Sequence, residues 1–207
     1  RNFAVGITFK KTEVIQAVCV GILVLGEGVS LLGLVAILIG LIGVLLLSDQ
    51  PFGGATGLSR FASRATGLGI LSGFLFAISA VFYRGATLEV GFENAILRAS
   101  VTLLLVITMQ MAVMTIWLYL REPGQLRAVW NARKTAIWVG LTSLGGSLGW
   151  FTAFTLQNAA YVKAVGQIEL ILSLAASVLF FREKITGREL GGLAFLVISI
   201  VILVLRA

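Results

Sequence analysis

The chain has 207 residues, of which 58% are hydrophobic and 12% charged, with a mean hydropathy of +1.03. Soluble domains carry roughly a quarter of their residues charged, so the composition excludes a water-soluble globule and describes a multi-span membrane protein. The net charge of +7 would suit a nucleic-acid binder, but the basic residues fall in the connections between apolar runs, where they orient helices and meet anionic headgroups; no nucleic-acid partner is expected.

Seven spans can be drawn. The first covers residues 4–25 and carries Lys10, Lys11 and Glu13. A turn at Glu27 and Gly28 leads to a second, wholly apolar span at 31–47. Residues 48–65 form the longest polar connection, with Pro51, Gly53, Gly54, Arg60 and Arg64, and mark the boundary between two halves. The third span is 67–83, with Gly69 and Gly73 at close-packing spacing. The fourth is 95–119, with Gln110 at mid-depth among Met109, Met111 and Met114. A basic loop over 121–134 precedes the fifth span, 135–155, whose middle is small from Thr142 to Gly149 before Trp150. The sixth, 157–183, holds Lys163 and Glu169, and 189–205 is the seventh. Nothing alternates apolar and polar in the short segments a transmembrane barrel needs.

The sixth span is also written a second time. An offset of 156 residues lays Asn2 on Asn158, Glu13 on Glu169, Glu27 on Glu183 and Leu34 on Leu190 without a gap. Three polar coincidences in a chain this poor in polar residues point to an internal duplication. The two acid-bearing spans are first and sixth, an odd number of crossings apart, so the copies run in opposite directions: an inverted repeat. The expected fold class is therefore an all-α membrane protein, a polytopic bundle with inverted repeats. Three spans precede the acid in the second copy and none in the first, which predicts three more upstream, a parent of ten, and a 207-residue piece that is inactive alone. The expected division is the end of the first repeat at 1–48, a linker at 49–66 and the second repeat at 67–207. Arg60, Arg64, Arg121, Arg127, Arg133, Lys134, Arg182, Lys184 and Arg188 lie on one side of this topology, against Arg84, Arg98 and Arg206 on the other. The positive-inside rule puts the first set in the cytoplasm and the C-terminus outside.

A mid-helix Glu, an apolar stretch, a Gly-Glu or Arg-Glu turn and a glycine-bearing apolar helix occur in both copies: TEVIQAVCVGILVLGEGVSLLGLVAILIGLIGVLLL and IELILSLAASVLFFREKITGRELGGLAFLVISIVILVL. This pattern resembles the EamA-type domain of the drug/metabolite transporter superfamily, and GWFTAFTLQNAAYVKAVGQIE is similar to the corresponding region of bacterial members. The resemblance implies a ten-helix, two-repeat carrier of small metabolites, often an exporter, in the bacterial cytoplasmic membrane. It also implies both termini in the cytoplasm, against the loop count.

Glu13 and Glu169 are the leading site residues. An ionised group at mid-bilayer costs at least about 3 kcal/mol on insertion scales, so each must face a partner or a wet cavity. They could hold a cationic substrate group or exchange a proton, or could tie helices together. Lys10 and Glu13, three apart, share a helix face and are expected to pair, with Lys11 reaching the headgroups; a lysine free to meet a substrate carboxylate would, with Glu13, suit a zwitterion. Lys163 is expected to reach the interface, or else to line the cavity. Trp150, Phe151, Phe154 and Tyr161 form an expected aromatic cluster for stacking or for an interfacial belt, and Gln110, Gln157, Asn158 and Gln167 can bond substrate or neighbouring helices. The apolar second and seventh spans would serve as scaffold or as the contact of a homodimer.

Histidine is absent and Cys19 is the single cysteine, so no disulfide, metal or cofactor is expected and carboxylates are the remaining proton carriers. An intramembrane enzyme lacks its parts on this reading. No Walker sequence powers the chain, which leaves a gradient-driven secondary carrier working by alternating access, with a lipid-linked-substrate translocator or a channel-like relative as the alternative.

Overall fold

The computed structural model describes residues 9–47, 64–122, 124–182 and 185–206. Among these residues every regular element is an α-helix: α1 (Glu13–Leu25), α2 (Leu31–Leu47), α3 (Arg64–Glu89), α4 (Ala95–Arg121), α5 (Gln125–Asn131), α6 (Arg133–Leu156), α7 (Ala159–Gly166), α8 (Ile168–Phe181) and α9 (Gly187–Arg206). Four stretches are long and apolar enough to cross a membrane: Arg64–Glu89, Ala95–Arg121, Ala159–Phe180 and Gly187–Leu205. Glu13–Leu25 and Leu31–Leu47 are apolar but shorter. These features describe a helical membrane protein.

Three details of the expected layout are refined. The fifth span exists as helix α6 but is not among the four, because Thr142, Ser143, Gly145, Gly146, Ser147 and Gly149 dilute its apolarity. The sixth is not one helix but two, separated at Gln167. The basic loop holds a short helix, α5, and Arg133 stacks on its Trp130 with the guanidinium carbon 5.5 Å from the ring centroid. The linker residues Pro51, Gly53, Gly54 and Arg60, and the repeat residues Asn2 and Glu183, lie outside the described residues.

The chain divides by its contacts into two compact units, one from 1–82 with 158–207 and one from 83–157. In the first, α2 packs along α9. The Ser199 hydroxyl donates to the Ala36 carbonyl at 2.6 Å, and Gly43 lies so close to Gly192 that a Cβ on Gly43 would sit 2.8 Å from the Gly192 carbonyl oxygen. Residue 36 meeting 199 while 43 meets 192 means that the two helices run in opposite directions. Small residues let their backbones approach, the usual device where no hydrophobic force joins helices in lipid. Beside this pair, Val14, Ala17, Ile37, Ala77, Ala160 and Ala164 belong to one buried core.

The 156-residue register of the sequence carries over to the elements. It lays Leu31, the start of α2, on Gly187, the start of α9. It also lays Gly26, which ends α1 in the left-handed region at φ 67°, on Arg182, which ends α8 there at φ 55°. A non-glycine residue at positive φ is uncommon.

In the second unit, α4 packs on α6 through Ala99, Leu103 and Phe151, with Tyr83 stacked on Phe151 at 4.7 Å between centroids. Asn94 caps α4 by accepting from the amides of Ile96 and Leu97. Arg84 donates to the carbonyls of Phe154 and Gln157 at 2.8 and 2.7 Å, satisfying the orphan acceptors at the end of α6 with a charge that suits the negative end of the helix dipole.

Candidate functional site

The site lies in the first unit and begins with two breaks in the backbone. Residues 9 and 10 are helical, 11 and 12 form a turn, and α1 starts at Glu13. The Thr12 amide and hydroxyl both donate to the Phe9 carbonyl, at 3.2 and 2.7 Å. That carbonyl is the acceptor the Glu13 amide would use in a continuous helix, so the hydroxyl helps to end one helical segment where the next begins. At the second break the Gln167 amide donates to the Ala164 carbonyl at 3.2 Å and the Leu170 amide to the Gln167 carbonyl at 3.0 Å, tight three-residue bonds in place of four-residue ones. Thr12 and Gln167 have nearly the same dihedrals, φ −68° and ψ −5° against φ −63° and ψ −7°.

Each break leaves an acid in the first turn of the helix that follows: Glu13 in α1 and Glu169 in α8. The N-terminal end of a helix favours negative charge by about 0.3–1 kcal/mol. Lys163 occupies the last turn of α7, the end that favours positive charge. Helix ends thus favour the charges they carry, a carboxylate at the start of α1 and an ammonium at the end of α7.

These charges pair across the two breaks. Lys163 Nζ lies 3.6 Å from Glu13 Oε2, and Lys11 Nζ lies 2.7 Å from Glu169 Oε1. The expected Lys10–Glu13 pair does not form, and Lys11 does not reach outward. Spacing of three residues places two side chains together only on an unbroken helix, and the turn at Lys11 and Thr12 removes that condition. Lys163, likewise expected to reach the interface, turns to Glu13. Lys10 Nζ instead sits 3.9 Å from the centroid of the Phe76 ring, and Lys163 Nζ lies 5.3 Å from the same centroid. Phe76 and Gly73 belong to α3 and are three apart, so they face the break together. A Cβ at Gly73 would stand 2.8 Å from the Lys10 carbonyl oxygen and 3.0 Å from Gln16 Oε1; only glycine lets α3 come this close.

Burial separates the two pairs. Glu13 is 7% exposed and the Lys163 side chain 14%, whereas the Glu169 side chain is 59% exposed. The Oε1 atoms of Gln16 and Gln167 and Oε2 of Glu13 are buried with no hydrogen-bond donor among the described residues. Beside Gln167, a gap walled by Lys11, Val14, Ile37, Gly40 and Ser199 has room for about one water molecule.

The other expected site residues fall elsewhere or serve the scaffold. The Tyr161 hydroxyl accepts from the Ser30 amide at 2.8 Å and donates to the Ser30 hydroxyl at 3.2 Å, which fastens α7 to the start of α2. Asn158 accepts from the Ala160 amide as the cap of α7, and its side-chain nitrogen lies 3.5 Å from the Gly28 carbonyl. Trp150 stacks on Phe154 at 5.7 Å, and Gln110 reaches the Tyr83 hydroxyl at 3.5 Å; both belong to the second unit. Sequence reasoning sent Lys11 to the headgroups and passed over Phe76. The Gly166–Gln167 step inside an apolar run was the signal available for the second break, and Phe76, three residues beyond Gly73, could have been read from helical spacing. Comparison with protein-family models finds no match for the chain, and comparison with curated proteins finds none.

Proposed function

We propose that the chain belongs to a gradient-driven secondary carrier that moves small solutes by alternating access across the bacterial cytoplasmic membrane. The observation that carries this reading is the meeting of two interrupted apolar helices, each with an acid just after its break and each acid held by a lysine of the other. Membrane carriers built from inverted repeats use interrupted helices in this way, because an unwound turn exposes backbone groups and half-helix dipoles to a solute at mid-membrane. Two further observations support an inverted repeat: the common 156-residue register and the opposed directions of α2 and α9. The two acids then belong to one pocket at the interface of two repeats of the EamA type.

In this mechanism a solute enters between the broken helices and exchanges partners with the ion pairs. The pairs keep the charges compensated when no solute is bound, and their release accompanies the rocking of one repeat against the other. The exposure of Glu169 favours one alternative, a groove open sideways to the bilayer for a lipid-linked substrate. Counterflow in proteoliposomes of the full-length protein separates the readings. Saturable counterflow of a water-soluble solute, abolished by Glu13→Gln or Glu169→Gln in correctly inserted protein, supports the carrier. Unsaturated flux, or normal transport by both variants, refutes it.

A further inference from the structure

Among the described residues the charges at the crossing do not balance. Three ammonium groups, Lys10, Lys11 and Lys163, gather around two carboxylates, Glu13 and Glu169, and both carboxylates are taken by Lys163 and Lys11. Lys10 has no carboxylate partner among the described residues; its nitrogen lies over Phe76, on the ring that Lys163 also approaches. Two ammoniums beside one aromatic ring repel each other, and the ring quadrupole compensates only part of that repulsion. Within an apolar bundle a surplus positive charge calls for an anion. From this we infer that the solute carries a carboxylate, which binds Lys10 above the Phe76 ring and compensates the charge of that lysine.

The inference rests on the carrier reading and narrows it to small carboxylates. Two sources share that chemistry, a simple carboxylic acid and an α-amino acid. Glu13 Oε2, buried and without a hydrogen-bond donor, would receive the ammonium of the second kind. Phe76 forms the apolar floor in either case, and Gly73, one turn away on α3, holds that floor against the break.

The test uses the purified full-length protein and thermal stabilisation by three matched panels: the common α-amino acids, the carboxylic acids that lack their amino group, and the amines that lack their carboxylate. Stabilisation by members of the first or second panel and by none of the third is expected. Hits shared by both panels give the carboxylate alone as the requirement, and hits confined to amino acids assign the ammonium to Glu13. Lys10→Gln then weakens the Kd of the best ligand about tenfold or more, as loss of a charge-assisted bond requires, while Lys10→Arg recovers most of the affinity. Stabilisation by amines alone, by no panel, or an unchanged Kd in a folded Lys10→Gln overturns the inference; if that variant does not fold, the panels alone decide. Saturable counterflow of an amine would leave the carrier standing and remove the carboxylate. A carboxylate that binds through Lys10 without counterflow would do the reverse.

Discussion

The Glu13–Lys163 pair invites a double-mutant cycle. Glu13→Gln leaves an ammonium facing Lys10 in a site where Lys163 is only 14% exposed. Removing one partner of a buried pair costs about 3–5 kcal/mol. The lower end applies here, because the 3.6 Å separation is long for a hydrogen-bonded pair and Lys163 keeps its aromatic contact with Phe76. Lys163→Gln leaves a buried carboxylate and costs a similar amount. In the double variant two neutral amides face each other, so it should lose less than the singles summed, with a coupling of about 2–3 kcal/mol. The Lys11–Glu169 pair is the internal control: it is shorter at 2.7 Å, but Glu169 is 59% exposed, and such pairs couple by less than about 1 kcal/mol. Unfolding of the full-length protein in mixed micelles by added dodecyl sulfate, followed by circular dichroism, measures both cycles. Tryptophan fluorescence is the wrong probe, since Trp117, Trp130, Trp138 and Trp150 all belong to the second unit. Additivity of the Glu13 and Lys163 variants within about 0.5 kcal/mol, or equal coupling in the two pairs, would refute the assignment of the buried pair as the stronger link.

Gly73→Val forces α3 away from the Lys10 carbonyl and should cost about 1–3 kcal/mol in the same titration, with the Phe76 floor displaced and ligand affinity reduced; Gly67→Ala, on the same helix but with open space around it, should be neutral or stabilising by up to about 1 kcal/mol. Gly43→Ala meets the Gly192 backbone and should destabilise the α2–α9 pair by a comparable amount, read as a lowered midpoint without loss of ligand affinity. Tyr161→Phe removes the acceptor of the Ser30 amide and should cost about 1–2 kcal/mol, measurable as faster hydrogen exchange at the start of α2.

Much of the helical layout was legible because apolar length is a coarse signal that survives without tertiary knowledge. The span drawn at 31–47 is helix α2, and the one drawn from 95 begins where Asn94 caps α4. The acids were legible because an ionisable group in an apolar run has a high cost and few explanations. The pairing was not. It depends on the breaks at Thr12 and Gln167, and neither carries a proline: hydrophobic periodicity continues through both, and the interruption is made by a threonine hydroxyl and by three-residue hydrogen bonds. Once the helix is interrupted, sequence spacing no longer says which lysine meets which acid, so Lys163 takes the place expected of Lys10 beside Glu13 and Lys11 turns to Glu169. Phe76 escaped notice because one aromatic in an apolar span looks like any other, and its role comes from two lysines of other elements.

The central claim is that water reaches the crossing of the broken helices from each side of the membrane in turn. Gln167 tests it, being 5% exposed and bordering the gap beside Lys11. A Gln167→Cys variant of the full-length protein, with Cys19 replaced by Ala, can be treated with a membrane-impermeant maleimide in right-side-out and in inverted vesicles. The account predicts labelling from both faces, slowed by a bound solute; labelling from one face only, or from neither in protein that reacts once unfolded, would contradict it.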